Sequence, residues 1–136
     1  MNNWFVAASV AFVCWGIWGF IPKITTQYIN PMSAMVFEAV GVIAMGFLIL
    51  AVLGFRPEIH PKGIGLAMTT GVLGITGALG FLFAVKMGKV SVVAMFTAMS
   101  PVLTIVLAHF FLKESITLKE GLGMLCALAA IVLFAT

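Results

Sequence analysis

Glu38 is the one acidic side chain set well inside an apolar run, about two helical turns past Pro31. A carboxyl in the bilayer interior costs about 2.5–3.5 kcal/mol on insertion scales, so an acid within a span marks a functional site by default. Its chemistry there is to pair with a solute's positive charge or to carry a proton in exchange for one. The alternative is a neutral glutamic acid that makes one hydrogen bond to a neighbouring helix. Read as a helix, its face also carries Ala34, Met35, Gly41, Val42 and Met45. Phe37, Val40, Ile43 and Phe47 fall opposite and suit lipid, so the carboxyl is expected to point inward.

Two further groups could line a solute path. Trp15 and Trp18 share a helical face with Trp4, Ala8 and Ala11, while Val6, Val10, Val13, Ile17 and Phe20 fall on the other. The indole and alanine face suits protein or a cavity, and the aliphatic face suits lipid tails. Trp4, nearest the run's end, reads instead as an interfacial anchor. Thr97, Ser100 and Thr104 share a face with Pro101, where the missing N–H frees a carbonyl and bends the helix. Pro101 is therefore the expected hinge, and the three hydroxyls are polar contacts along the bend.

Nothing points to an enzyme. No aspartate occurs, His60 lies in a short polar stretch, and His109 lies near the end of an apolar run. No serine or cysteine stands beside a base with its orienting group, so no catalytic residue is assigned. Cys14 and Cys126 fall inside apolar runs without ligand spacing to any histidine, so they are expected to pack as small apolar groups. No metal site and no cofactor are expected.

The elements that must hold these groups follow from composition. The chain has 136 residues, 63% hydrophobic and only 8% charged, against about 25% charged in ordinary soluble domains. Apolar segments run from Trp4 to Ile21, Met32 to Phe55, Gly63 to Val85, Val90 to Leu112 and Leu118 to Ala135. Each is long enough to cross a bilayer as a helix. The expected fold is an all-α integral membrane protein, one domain of five transmembrane helices in a multi-pass cell membrane (inner or plasma membrane) setting. The start lacks the basic region and cleavage pattern of a secretory signal, so the first run is expected to remain as a span. Thr117-Leu118-Lys119-Glu120 has the capping-box pattern and should open the fifth helix.

Gly71, Gly74, Gly77 and Gly80 punctuate the third run, and Gly123, Ala127 and Ala130 the fifth. Small residues at such spacing let helices approach closely in lipid. Packing within the chain is expected for the third run, and packing or a subunit interface for the fifth.

The charges are balanced between the two membrane faces. Arg56, Lys62, Lys113 and Lys119 belong to the end that carries the N-terminus, and Lys23, Lys86 and Lys89 to the other. A difference of one leaves the positive-inside rule nearly silent, so the chain can insert both ways up. Scattered lysines also form no basic face, which excludes nucleic acid as a partner.

The stretch Phe81-Leu82-Phe83-Ala84-Val85-Lys86-Met87-Gly88-Lys89-Val90-Ser91-Val92-Val93-Ala94, then Ser100-Pro101-Val102-Leu103-Thr104 and Leu112-Lys113-Glu114-Ser115-Ile116-Thr117 with Gly121 and Gly123, resembles the EamA domain of the drug/metabolite transporter superfamily. Trp15-Gly16 and Lys23 resemble that domain's first helix. The resemblance implies a carrier of small organic metabolites or drugs that works by alternating access. Usual members join two inverted halves of five spans, and this chain is the size of one half. It resembles a stand-alone half acting as an antiparallel, dual-topology homodimer, with a second inverted copy supplying the missing repeat and transport either proton-coupled or by exchange. The family's second helix commonly carries an arginine seven residues after its leading proline, whereas here Pro31 is followed by Glu38. That reversed sign suits cationic or aromatic compounds better than anionic metabolites. Two other readings remain open: a half-transporter that pairs with a different chain, and a non-transporting packing subunit.

Overall fold

The computed structural model describes residues 3–135, and the described residues form helices joined by short turns. The elements are α1 (Asn3–Tyr28), α2 (Pro31–Val52), α3 (Pro61–Met87), α4 (Val90–Thr97), α5 (Ser100–Leu107) and α6 (Leu118–Ala135). A π-helical turn, Ala108–Leu112, extends α5. Four stretches have the length and hydropathy of a membrane span: Trp4–Tyr28, Pro31–Val52, Pro61–Met87 and Val90–Leu112. The 18 residues of α6 make the fifth rod. The protein is thus all-α and multi-pass, as its composition requires.

Close contacts divide the chain into two units, Met1–Met87 and Gly88–Thr136. In the first, α1, α2 and α3 pack on one another. Its core is small: Leu82 is 1% exposed and Val85 0%, with Ala34, Met35, Ala78 and Phe81 also buried. Ile29 and Leu79 pack against its edge. Most other large apolar side chains are exposed, as lipid contacts are in a membrane protein.

Local chemistry sets the helix ends. The first helix does not stop at Ile21 but continues through Pro22 to Tyr28. Proline loses one backbone donor but is tolerated in membrane helices when nearby hydroxyls settle freed carbonyls. Here Thr26 Oγ1 donates to the Pro22 carbonyl at 2.9 Å and Thr25 Oγ1 to the Ile21 carbonyl at 3.2 Å. Lys23, expected in a connection, consequently sits inside a helix. Asn30 caps α2 by accepting from the Ser33 N–H at 2.8 Å, with Pro31 at the first helical position. That helix ends at Val52 rather than Phe55, because Gly54 and Phe55 adopt positive φ of 61° and 59°. The Gly54 and Phe55 N–H groups donate back to the Ala51 and Leu50 carbonyls. His60 Nδ1 accepts from Gly63 N–H at 3.3 Å at the start of α3.

Within their own unit the glycines of α3 do not pack as expected. A Cβ built on Gly71, Gly74, Gly77 or Gly80 meets nothing within 4 Å. The buried part of α3 is its C-terminal third, Ala78 to Val85, where larger side chains make the contacts.

In the second unit α4 packs on α6. The fourth apolar run is one span by length but is interrupted at Ala98–Met99, just before Ser100-Pro101. Pro101 cannot donate to the Thr97 carbonyl, and Met99 N–H tightens onto Phe96 O at 3.2 Å instead. The run ends at Lys113, which takes the left-handed conformation at φ 59°. Half-buried Met124, Ala127 and Ala130 form one face of α6, while Gly123 is exposed with open space beyond it.

The capping box at α6 is formed. Thr117 N–H and Oγ1 donate to Glu120 Oε2 at 2.7 and 2.8 Å, and Glu120 N–H returns to Thr117 Oγ1 at 3.3 Å. Thr117→Ala is expected to lower stability by about 1 kcal/mol. Thermal unfolding in detergent, followed by circular dichroism, checks it, and an unchanged midpoint would mean that lipid or neighbours hold the helix start without the cap.

Candidate functional site

Glu38 lies on the second turn of α2, half-buried, facing α1. Trp18 Nε1 donates to Glu38 Oε1 at 2.8 Å. An indole N–H can only donate, so it pairs with a carboxyl oxygen and fixes that side chain's direction. Trp18 in turn lies against Phe81 of α3, ring centroids 5.3 Å apart and planes tilted by 34°. Phe81 is buried at the core's edge. The chain of contacts therefore runs from the packed end of α3 through an indole to the carboxyl, and each helix of the first unit supplies one member.

The carboxyl opens on a cavity of about 270 Å³. Trp18, Ile21, Pro22, Thr25 and Ile29 of the α1 side, Ala34, Phe37 and Glu38 of α2, and Leu82 of α3 line it. Thr25 has already spent its hydroxyl hydrogen on the Ile21 carbonyl. The wall is thus apolar with one ionisable group, the usual make-up of a small-solute site. Phe37, expected against lipid on the face opposite Glu38, is instead part of this wall while remaining 67% exposed.

Lys23 carries a second cross-helix contact. Its Nζ donates to the Val85 carbonyl at 2.6 Å, near the C-terminal end of α3. A cation suits the negative end of a helix dipole and the unpaired carbonyls there. The ammonium thereby ties α1 to the segment of α3 that bears Phe81 and Leu82. The sequence shows the lysine but not this role, because its acceptor lies 62 residues further along the chain on another helix.

The remaining sequence-predicted residues have other surroundings. Trp15 is 73% exposed and lies outside the cavity wall around Glu38. In the second unit, Thr97 Oγ1 donates to the Val93 carbonyl at 3.0 Å, and Thr104 Oγ1 to the Ser100 carbonyl at 3.1 Å. Both threonines satisfy the backbone beside the break at Pro101, the use hydroxyls commonly find near a membrane-helix proline. A smaller hollow of about 170 Å³ is lined by Thr104, Ile105, Ala108, Glu114, Ser115, Ile116 and Glu120. Glu120 there is engaged in the capping box, and His109 Nδ1 lies 2.7 Å from the Glu114 carbonyl. Among the described residues no group of three or more histidine, cysteine or acidic side chains could hold a metal ion.

Comparison with known proteins agrees with this architecture. The profile of the EamA-like transporter family matches residues 2–136. An uncharacterized protein of Methanocaldococcus jannaschii is 25% identical over 135 residues, which cover 98% of this chain and 96% of that protein. No solved structure matches the chain.

Proposed function

The chain belongs to the EamA-like transporter family, and from that premise we propose that it carries a small organic solute across the membrane by alternating access as an antiparallel homodimer. The cavity at Glu38 is the observation that carries this reading: a half-buried carboxyl, held by Trp18, in an otherwise apolar hollow between three spanning helices. In the proposal Glu38 meets the solute's charge or exchanges it for a proton. Trp18 forms the wall beside it. In the first unit Trp15 extends the wall, and in the second Thr97, Ser100 and Thr104 are polar contacts along the bend, with Pro101 as the point of bending. The five helices then act as one EamA-like domain.

A single five-helix unit lacks the inverted half that alternating access uses. Three features support a second copy as that half. The Lys and Arg residues divide four to three between the two ends, so neither orientation is strongly favoured. The glycines of α3 have open space beside them within their own unit. The archaeal relative is also the length of one such unit. Pairing with a different chain remains the second reading, since the same open surface serves a sister subunit.

The test is orientation. In a variant with Cys14→Ser and Cys126→Ser, a cysteine placed by Glu58→Cys reports which side the α2–α3 turn faces. A membrane-impermeant maleimide is expected to label about half the copies in sealed cells and all of them after permeabilisation. Labelling of every copy from one side would exclude the antiparallel homodimer.

A further inference from the structure

The hydrogen-bonding capacity of the cavity selects its ligand. Trp18 has one donor and gives it to Glu38 Oε1. Thr25 directs its hydroxyl to the Ile21 carbonyl. The wall otherwise consists of Ile21, Phe37, Leu82 and similar apolar groups. What remains to a visitor is acceptor capacity, chiefly Glu38 Oε2 on the one ionisable side chain of the wall. No side-chain donor in the wall is left to greet an anion. An anion would also stand against the carboxylate in apolar surroundings, where like charges are costly.

Resting on the reading of this cavity as the solute site, we propose that it takes a small protonated amine with an apolar body. An ammonium N–H donates to Glu38 Oε2, a charge-assisted bond that satisfies the group left open by Trp18. The body of the ligand fills the apolar wall, of which the Trp18 ring, backed by Phe81, is part. A quaternary ammonium has the charge but no N–H, so it leaves Oε2 without its hydrogen bond and binds less tightly. The hollow of about 270 Å³ has room for a single ring or a short chain within one copy.

Calorimetric titration of the purified full chain in detergent micelles tests this with three probes of one shape: benzylamine, benzyltrimethylammonium and benzoate. Benzylamine is expected to bind saturably, about tenfold or more tighter than benzyltrimethylammonium, and benzoate to give no saturable heat. Glu38→Gln should weaken benzylamine binding about tenfold or more, and Glu38→Asp should retain most of it. The proposal is overturned if benzylamine does not bind, if either other probe binds as tightly, or if Glu38→Gln keeps the wild-type affinity. The comparison among probes on the unmodified protein decides even where a variant fails to fold. Binding in micelles needs no translocation, so amine binding without uptake into vesicles would sink the transport reading alone. Glu38-dependent uptake that prefers an anion would sink the amine alone.

Discussion

Glu38→Gln is expected to lower solute uptake into proteoliposomes about tenfold or more while leaving helical content and oligomeric state unchanged. The amide has the shape of the carboxyl and keeps an oxygen for the Trp18 N–H, so the 2.8 Å contact between α1 and α2 can persist. What goes is the group that can bear a negative charge or exchange a proton. Loss of a charge-assisted bond at the site should lower uptake about tenfold or more, equivalent to about 1.4 kcal/mol or more. Glu38→Ala would confound the result, because it also deprives Trp18 Nε1 of its acceptor. Uptake at the wild-type rate in the glutamine variant would reduce Glu38 to a strut between helices. Proteoliposome flux measured alongside circular dichroism and sizing separates these outcomes.

Leu82→Ala should produce the largest loss of stability. Leu82 is 1% exposed, lies in the core with Ala34, Met35 and Ala78, and also forms the floor of the cavity beside Glu38. In water a buried leucine truncated to alanine costs about 2–5 kcal/mol, part of it transfer of apolar atoms and part the void left behind. Lipid removes much of the transfer part, since acyl chains are as apolar as the protein interior, but lost packing contacts remain. A loss of about 2 kcal/mol is therefore expected, read as a shift in the denaturant midpoint in mixed micelles. Truncation of exposed Leu66 on the same helix should change little, because it is 69% exposed and takes no part in the core. Equal effects at the two positions would mean that the packed end of α3 is not the core.

The two variants probe different consequences of one arrangement. The C-terminal third of α3 is the packed part of that helix, and it supports both Phe81 under Trp18 and the Val85 carbonyl that receives Lys23. Stability and site geometry thus share the same few residues.

Apolar length was enough to place five helical rods, because a bilayer leaves the backbone no partner but itself. The start of α6 was legible to the residue, since a capping box is local chemistry within four positions. The break before Pro101 was legible for the same reason. The far end of α1 was not: Pro22 reads as a stop in water, and only hydroxyls one turn away allow the helix to reach Tyr28. The end of α2 was missed because Phe55 adopts a left-handed backbone that its side chain does not advertise.

By itself, then, the sequence determined a membrane-spanning bundle with one acid in its interior, for these depend on residue type and on spacing along a single helix. Tertiary structure alone decided that Trp18 rather than Trp15 meets that acid, that Phe81 backs the indole, and that Lys23 closes on Val85. Such pairings depend on how one helix is rotated against another. Two indoles on one face are equivalent until a neighbouring helix chooses between them, and that choice is made by side-chain packing across tens of residues of chain.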